Sequence, residues 1–339
     1  MKDLSNIVLS MLDLVAVREG AGVDNALHIA LRTAQHAESL GFTRYWVAEH
    51  HNMVGIASSA TAVTMGYLAG GTSRIRIGSG GIMLPNHAPL VVAEAIGTLA
   101  ALYPNRIDLG LGRAPGTDGP TMRALRRDRV ESEQDFPRDV MELQRLLGPT
   151  QPGQRLVATP GANSNVPIWL LGSSLFSAQL AGELGLPYTF AAHFAPRLLL
   201  QALAVYRQSF KPSAQCAKPY AAVAIQVVAS DTDAQADYLA SSLYQRVHGI
   251  ITGQRGKLPR PVDHYLEGIH PQERAAVEDF LAAAAIGSPE TVQQRLQQIA
   301  DLTQADEFII ACDVFDIEQR LKSLDITAAA MAHATTPAL

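Results

Sequence analysis

The sequence lacks the features that mark several large classes of protein. Its 339 residues include two cysteines, Cys216 and Cys312, which are too few for a disulfide framework and lack metal-ligand spacing. This usage favours a reducing compartment. No apolar run approaches the roughly 20 residues needed to span a bilayer. No G-x-G-x-x-G fingerprint follows the first predicted strand, which disfavours an open sheet that binds a dinucleotide.

The chain also has no surplus of positive charge. Its 27 Lys and Arg are outnumbered by 32 Asp and Glu, which gives a net charge of −5. Binding to nucleic acid or to an anionic membrane surface is therefore not expected. The first 15 residues contain one lysine, and acids interrupt their apolar stretches. This pattern predicts a first strand and not a signal peptide, so we expect a cytoplasmic protein.

Strand-like and helix-like apolar periods alternate along the chain. Eight strands are predicted, at residues 7–9, 45–48, 75–78, 106–111, 167–171, 188–191, 221–229 and 307–311. Their alternation with helices predicts a parallel sheet in an α/β fold, and eight strands favour closure into a (β/α)8 barrel. Residues 148–160 are either a linker between two domains or a long loop at the barrel rim. We expect a single domain over residues 1–339, with an inserted loop at residues 249–271.

Four polar or glycine-rich segments follow predicted strands, where barrels carry their functional sites. The first is Glu49-His50-His51-Asn52. Metal binding, acid/base chemistry and structural capping are all compatible with these residues. Because neighbours on a strand point to opposite faces, Glu49 and His51 share one face and His50 takes the other. This geometry argues against the three together as a metal triad.

The second segment, residues 78–87, contains Gly80, Gly81 and Met83. Glycines at the end of a strand either let a flat ligand approach the backbone or form a bulge that helps to close the barrel. On the sixth predicted strand, His193 follows the carboxyl end and is a further candidate for lining a pocket.

The third and fourth segments point to an anion. In residues 110–116, Arg113 lies among glycines, where a guanidinium suits a phosphate or carboxylate, although a surface salt bridge is the alternative. In the fourth segment, Ser173, Ser174 and Ser177 lie at a predicted helix start, where they form an anion site or an ordinary N-cap. Because Arg113 comes from the adjacent strand, the combination favours a phosphate.

Together the segments resemble the bacterial luciferase-like flavin monooxygenases, and in particular the bacterial subgroup called YhbW-like. The resemblance covers nearly the whole chain. Its most specific stretches are AEHHN at 48–52, IGSGGIMLPNHAPL at 77–90, RIDLGLGRAPG at 106–116, WLLGSSLFSAQLAGELGLP at 169–187 and GSPETV at 287–292. This family implies a (β/α)8 barrel with insertions that binds FMN at the strand ends.

The resemblance also implies roles for individual residues. His50 matches the histidine that usually acts as the family's acid or base beside the flavin. The cofactor-binding positions are Gly80, Gly81, Met83, Arg113, Ser173, Ser174 and Ser177. Of these, Gly80-Gly81 matches a non-proline cis peptide bond, and the arginine and serines match the ligands of the flavin phosphate. No metal is implied.

Three departures separate the chain from the luciferases proper. Gly112 replaces a reactive cysteine, Ser173 replaces a carboxylate, and two glycines replace two alanines at the cis bond. Light emission from long-chain aldehydes is therefore not implied.

The expected activity is a two-component monooxygenase reaction. Reduced FMN would come from a separate NAD(P)H-dependent flavin reductase, and O2 would oxygenate a small organic substrate. The small residues at 57–64 permit close helix packing, and the resemblance implies a homodimer through this region. The alternatives are hydride transfer with FMN or a deazaflavin, a metal-dependent hydrolase that uses residues 49–51, and a flavin-binding protein without turnover.

Overall fold

The computed structural model describes residues 2–114, 119–125 and 135–332. Within them, eight parallel strands close into a barrel: β1 (Val8–Asp13), β2 (Arg44–Val47), β3 (Arg76–Met83), β4 (Ile107–Gly112), β5 (Ile168–Gly172), β6 (Tyr188–Phe190), β7 (Ala221–Ala229) and β9 (Glu307–Ala311). The first six pair in chain order, and the ring closes through the β6–β7, β7–β9 and β9–β1 pairings. The predicted (β/α)8 barrel is confirmed.

Helices surround this barrel. They are α1 (Val23–Ser39), α2 (Thr61–Gly70), α3 (Pro89–Leu102), α4 (Gly119–Leu125), α5 (Phe136–Leu147), α6 (Leu175–Glu183), α7 (Leu199–Ser209), α8 (Asp233–Ile251), α9 (Pro271–Phe280), α10 (Pro289–Thr303) and α11 (Ile317–Ala332). Those that pack on the sheet bury one side, as α1 does with Ala26, Ala30, Ala34 and Ala37. Among the described helices, none combines the length and the apolar character needed to cross a membrane.

The inserted segment differs from the predicted loop at both ends. Gly249 does not end α8, because two isoleucines extend the helix by a turn until Gly253, at φ +77°, stops it. Pro271 is the first residue of α9, since proline fits the first helical position. Between the helices, Leu258 is buried, and its N–H donates to Val17 O at 2.8 Å. The insertion therefore packs against the chain that follows β1.

A ninth strand was not predicted. β8 (Ala285–Gly287) is three residues long and pairs only with the carboxyl-terminal end of β7. Directly after it, Ser288 caps α10, because its hydroxyl accepts from Thr291 N.

Residues 148–160 lie between α5 and β5. Because β5 pairs with β4 in the same sheet, this segment does not separate two sheets, and it approaches the barrel at the amino end of β5 rather than at the carboxyl-end rim. One domain over residues 1–339 stays a prediction, since both termini lie outside the described residues.

A buried ion network closes the amino-terminal end of the barrel. Arg44 Nε lies 2.6 Å from Glu307 Oε1, and Arg44 Nη1 lies 2.9 Å from Asp108 Oδ2. Arg76 gives Asp108 a second partner at 2.6 Å, and the Tyr220 hydroxyl donates to Glu307 at 2.9 Å. Burial lowers the pKa of the Arg44 guanidinium, but attraction to Glu307 and Asp108 outweighs it and holds the pKa above its usual value.

Two tryptophans pack directly on this network. The rings of Trp46 and Trp169 meet edge to face at 5.1 Å, and Trp46 Nε1 donates to Asp108 Oδ2 at 3.2 Å. The Arg44 guanidinium lies 4.7 Å from the Trp169 ring. Leu12 and Ile309 complete the packing inside the barrel. The lower interior is therefore a filled core, and the carboxyl end is the place for a site.

Replacing Arg44 by Met should destabilise the fold. The change leaves Asp108 and Glu307 buried without their shared cation, and breaking a buried pair in this way costs about 3–5 kcal/mol. The free energy of unfolding in guanidinium chloride measures the effect. Arg32→Met is the matched control, because it breaks an exposed pair with Glu318 and should cost at most about 1 kcal/mol. Equal losses of unfolding free energy in the two variants would contradict the stabilising role given to this buried ion network.

Candidate active site

The carboxyl ends of β2 to β5 bring the four segments together. Met83 pairs in register with Gly112, and Gly112 pairs with Leu171. The ends of the second, third and fourth segments are therefore neighbours along the rim. Residues 115–116 of the third segment lie outside the described residues.

Glu49 is the centre of a buried hydrogen-bond cluster. Its carboxylate meets four donors: His87 Nε2 at 2.8 Å, His51 Nε2 at 2.9 Å, Met83 N at 3.2 Å and Asn86 Nδ2 at 3.3 Å. Burial raises the pKa of Glu49, but the hydrogen bond and charge of His87, followed by His51 and Asn86, leave it below its usual value. β2 ends at Val47, so the predicted sharing of a strand face by Glu49 and His51 does not apply to this irregular stretch, although the two side chains contact each other. The part played by His87 was missed.

Glu49, His51 and His87 also form a set of possible metal ligands, with all ligand atoms within 4.8 Å of one another. This set differs from the Glu49-His50-His51 run considered in the sequence. The contacts of 2.8–2.9 Å are hydrogen-bond distances between ring nitrogen and carboxylate. Because backbone and amide donors also occupy the carboxylate, the geometry is that of a hydrogen-bonded anion.

Glu49 also holds the end of β3. Its N–H donates to Gly81 O at 3.3 Å, while its carboxylate accepts from Met83 N. The Gly80-Gly81 peptide bond directly before these contacts is cis, as the resemblance implies. The β3–β4 register shifts between Gly80 and Ile82, so the bulge interpretation of this segment is confirmed. Close approach of a flavin to the same glycines stays a prediction.

His50 is half-buried on a short irregular stretch after β2. The Ser58 hydroxyl donates to Ala48 O at 2.6 Å, and the Ser59 hydroxyl donates to His50 O at 2.8 Å. Both serines precede the first residue of α2, so the start of that helix fixes the backbone that carries His50. Sequence reasoning placed these serines inside the helix and missed this function.

Arg113 and the start of α6 lie together, as the sequence indicated. The Arg113 guanidinium is 4.6 Å from the centre of the ring of Phe176, the second residue of α6. Ser174 is the N-cap of α6 and accepts from Ser177 N at 3.4 Å, with Ser173 half-buried before it. The Ser177 hydroxyl is buried and donates to Ser174 O at 2.9 Å, so Ser177 stabilises the cap. Direct binding of a phosphate by these residues stays a prediction.

The opposite side of the rim has polar groups that the sequence only partly revealed. His193 follows β6, as expected, and lies close enough to His50 for the two to interact electrostatically. Arg246 of α8 forms an ion pair with Asp313 at 2.9 Å. Neither residue was identified beforehand, because Arg246 looks like an ordinary charged residue of a helix and Asp313 stands alone after β9.

The chain is similar to proteins of one family over most of its length. A family model described as luciferase-like monooxygenase matches residues 8–305. An Escherichia coli K12 protein named luciferase-like monooxygenase is 47% identical over 320 residues, which are 94% of this chain and 96% of that protein. The crystal structure of apo-MsnO8 is similar with a TM-score of 0.85 and 32% identity, and the match covers 96% of this chain and 98% of that one.

A more distant structure shares the fold. It is the oxygenating constituent of 3,6-diketocamphane monooxygenase from Pseudomonas putida, in complex with FMN, with a TM-score of 0.72, 19% identity and coverage of 96% and 98%. Fold, rim and relatives together define a flavin-dependent monooxygenase of the barrel type. The chain belongs to the luciferase-like monooxygenase family.

Proposed function

We propose that this protein is the oxygenating component of a two-component system that uses reduced FMN and O2 to oxygenate a small organic substrate. A separate NAD(P)H-dependent flavin reductase supplies the reduced FMN, which provides the electrons that activate O2. The observation that carries the proposal is the convergence of His50, the glycine-rich end of β3, Arg113 and the amino end of α6 at one end of a filled barrel. Both cysteines are free, which suits the reducing cytoplasm we propose as its location.

The residues present fit FMN. Arg113 supplies a cation and Ser174 a hydroxyl at the amino end of α6, where helix amides and dipole favour a phosphate. Gly80 and Gly81, with Met83 beside them, leave a stretch of low side-chain bulk on the neighbouring strand. These two features would hold the phosphate and the ring system, respectively.

Arg113→Ala should weaken FMN binding. Loss of a charge-assisted hydrogen bond costs about 1.5–3 kcal/mol, or roughly 10- to 150-fold in affinity. Titration with FMN, both oxidised and anaerobically reduced, measures the change. Arg145→Ala, which removes an exposed arginine from α5, is the control and should bind normally. If both variants bind FMN as the wild type does, Arg113 is not a phosphate ligand.

His50 would move the proton at the reacting oxygen. An imidazole can both donate and accept a proton, which suits either direction of transfer. The Ser59 hydroxyl donates to the His50 carbonyl and the Glu49 cluster holds His51, so the backbone that carries the imidazole is held in place. The pocket around it must exclude water for the oxygen chemistry to reach substrate.

His50→Ala should lower oxygenation by about 100- to 10,000-fold, because it removes general acid/base catalysis. The assay supplies a generic flavin reductase, NADH, FMN and labelled 18O2, with a panel of small ketones and sulfides, and follows product by mass spectrometry. Incorporation of one labelled oxygen supports a monooxygenase, whereas oxidised product without label supports the alternative of hydride transfer. FMN binding with no product from any substrate supports the non-catalytic alternative. Unchanged turnover and pH dependence in the variant would remove His50 from the mechanism.

We also propose a homodimer that forms through α2 and α3. Val63 and Tyr67 of α2 and Val91 and Leu102 of α3 are all exposed large apolar residues, and α2 packs beside α3. Apolar side chains grouped on neighbouring helices are typical of a protein interface.

Val63→Glu should convert the dimer to a monomer, because 74% of this side chain is exposed in the single chain and a charge there would be buried in the interface. Sedimentation velocity at micromolar concentration measures the change. Leu302→Glu alters a similarly exposed residue (65%) on α10 and should leave the dimer intact. A monomeric wild type would refute the proposed interface.

A further inference from the structure

The wall formed by β6 and β7 carries two polar residues near its carboxyl end. Gln226 lies on β7, three residues beyond Val223, which pairs in register with Phe190 at the end of β6, and His193 lies in the turn that follows β6. Gln226 is on the inward side of β7, because Ala222 and Ala224 at alternate positions pack inside the barrel. In a ring of eight strands, this wall lies across the barrel from β2 and β3, and hence from His50.

Both residues have buried polar atoms without partners. His193 Nδ1 and Gln226 Oε1 are inaccessible to solvent and make no hydrogen bond within the part of the chain that the structure describes. Leaving such groups unpaired is unfavourable, and native proteins satisfy most of them. Two orphaned atoms on one wall, opposite a catalytic histidine, indicate that a ligand completes their hydrogen bonds.

The wall is polar but uncharged at neutral pH. Burial, followed by His50 and then Arg246, lowers the pKa of His193 to about 4, so its imidazole is neutral and offers one donor and one acceptor. The charge of Arg246 is matched by Asp313, which lies 2.9 Å away. A carboxylate or ammonium group would therefore lose its hydration here without gaining an opposite charge.

We propose that His193 and Gln226 form a substrate subsite that binds an uncharged carbonyl or amide group by hydrogen bonds and holds it opposite His50. The subsite deepens the proposed function, because it assigns a chemical class to the substrate. It predicts that the polar group is recognised on the β6–β7 wall, while the flavin phosphate is recognised at β4–β5. Binding at the subsite is testable without flavin, so its failure is distinct from failure of the proposed reaction.

The first experiment measures the state of His193 by NMR titration of the 13C-histidine-labelled full chain, with His193→Gln to assign its signal. The expected pKa is about 4, and it should rise in His50→Gln because a neighbouring positive charge is lost. An ordinary value near 6.5 that does not respond to His50 would overturn the proposed geometry, since it would place His193 in water and away from His50.

The second experiment compares three probes of similar size: benzamide, α-methylstyrene and benzoate. Benzamide should shift the His193 signal and bind at least about 10-fold more tightly than the other two, because only it offers a neutral donor and acceptor. Equal binding of benzamide and α-methylstyrene would overturn the proposal. It would mean that water alone satisfies the hydrogen-bonding groups of His193 and Gln226.

Substitutions of His193 and Gln226 test whether benzamide binding depends on these two side chains. His193→Phe and Gln226→Leu should each weaken benzamide binding about 10-fold and leave α-methylstyrene binding unchanged. His193→Gln keeps a donor and an acceptor and should bind benzamide within about 3-fold of the wild type. Because His193→Gln retains the polarity of the wall, it keeps the test decisive if His193→Phe fails to fold. Loss of benzamide binding in His193→Gln equal to that in a folded His193→Phe would count against recognition by hydrogen bonding.

Discussion

Arg44 lies in the floor of the barrel between Asp108 and Glu307, which belong to the strands two positions away on either side of β2. A single guanidinium therefore links an arc of five strands through the interior. Buried ion pairs are weak evidence for stability in general, but their geometry specifies which strands meet. Arg76, Trp46 and Tyr220 supply further partners of the two carboxylates.

The ion network at the amino-terminal end of the barrel also affects the packing of β3, whose carboxyl end belongs to the candidate site. Because the indole of Trp46 donates to Asp108, its ring is held against β3. A Cβ added to Gly78 would lie 2.6 Å from Trp46, and one added to Gly80 would lie 2.6 Å from Leu12. Glycine is thus required by the packing of the barrel itself. The space beside Gly78 and Gly80 is filled by Trp46 and Leu12, so the barrel core constrains the same strand that carries the proposed flavin site.

The sequence predicted the barrel and most elements well, because the periodicity of buried strands and helices is local. The predictions failed for features that depend on contacts between residues far apart in the sequence. His87 joins Glu49 across 38 residues, and Arg246 joins Asp313 from a helix to a strand end, so no spacing in the sequence marks either pair. The strand β8 is too short for a periodic signal and is held by its pairing with β7. The predicted start of the insertion at Gly249 was wrong, because α8 tolerates this single glycine and continues through the apolar residues that follow it.

The carboxyl end of the barrel has two chemically different sides, one formed by β3 to β5 and the other by β6 and β7. His50 follows β2, which lies beside the first side and across the barrel from the second. On β3 to β5, the glycines, Arg113 and the amino end of α6 suit the proposed flat ligand with a phosphate. On β6 and β7, burial keeps His193 neutral and leaves two polar atoms without partners. Because its pKa is about 4, His193 is neutral at neutral pH and adds no positive charge facing the imidazole proposed as acid or base. The desolvation of one histidine thus supports the acid/base chemistry proposed for the other.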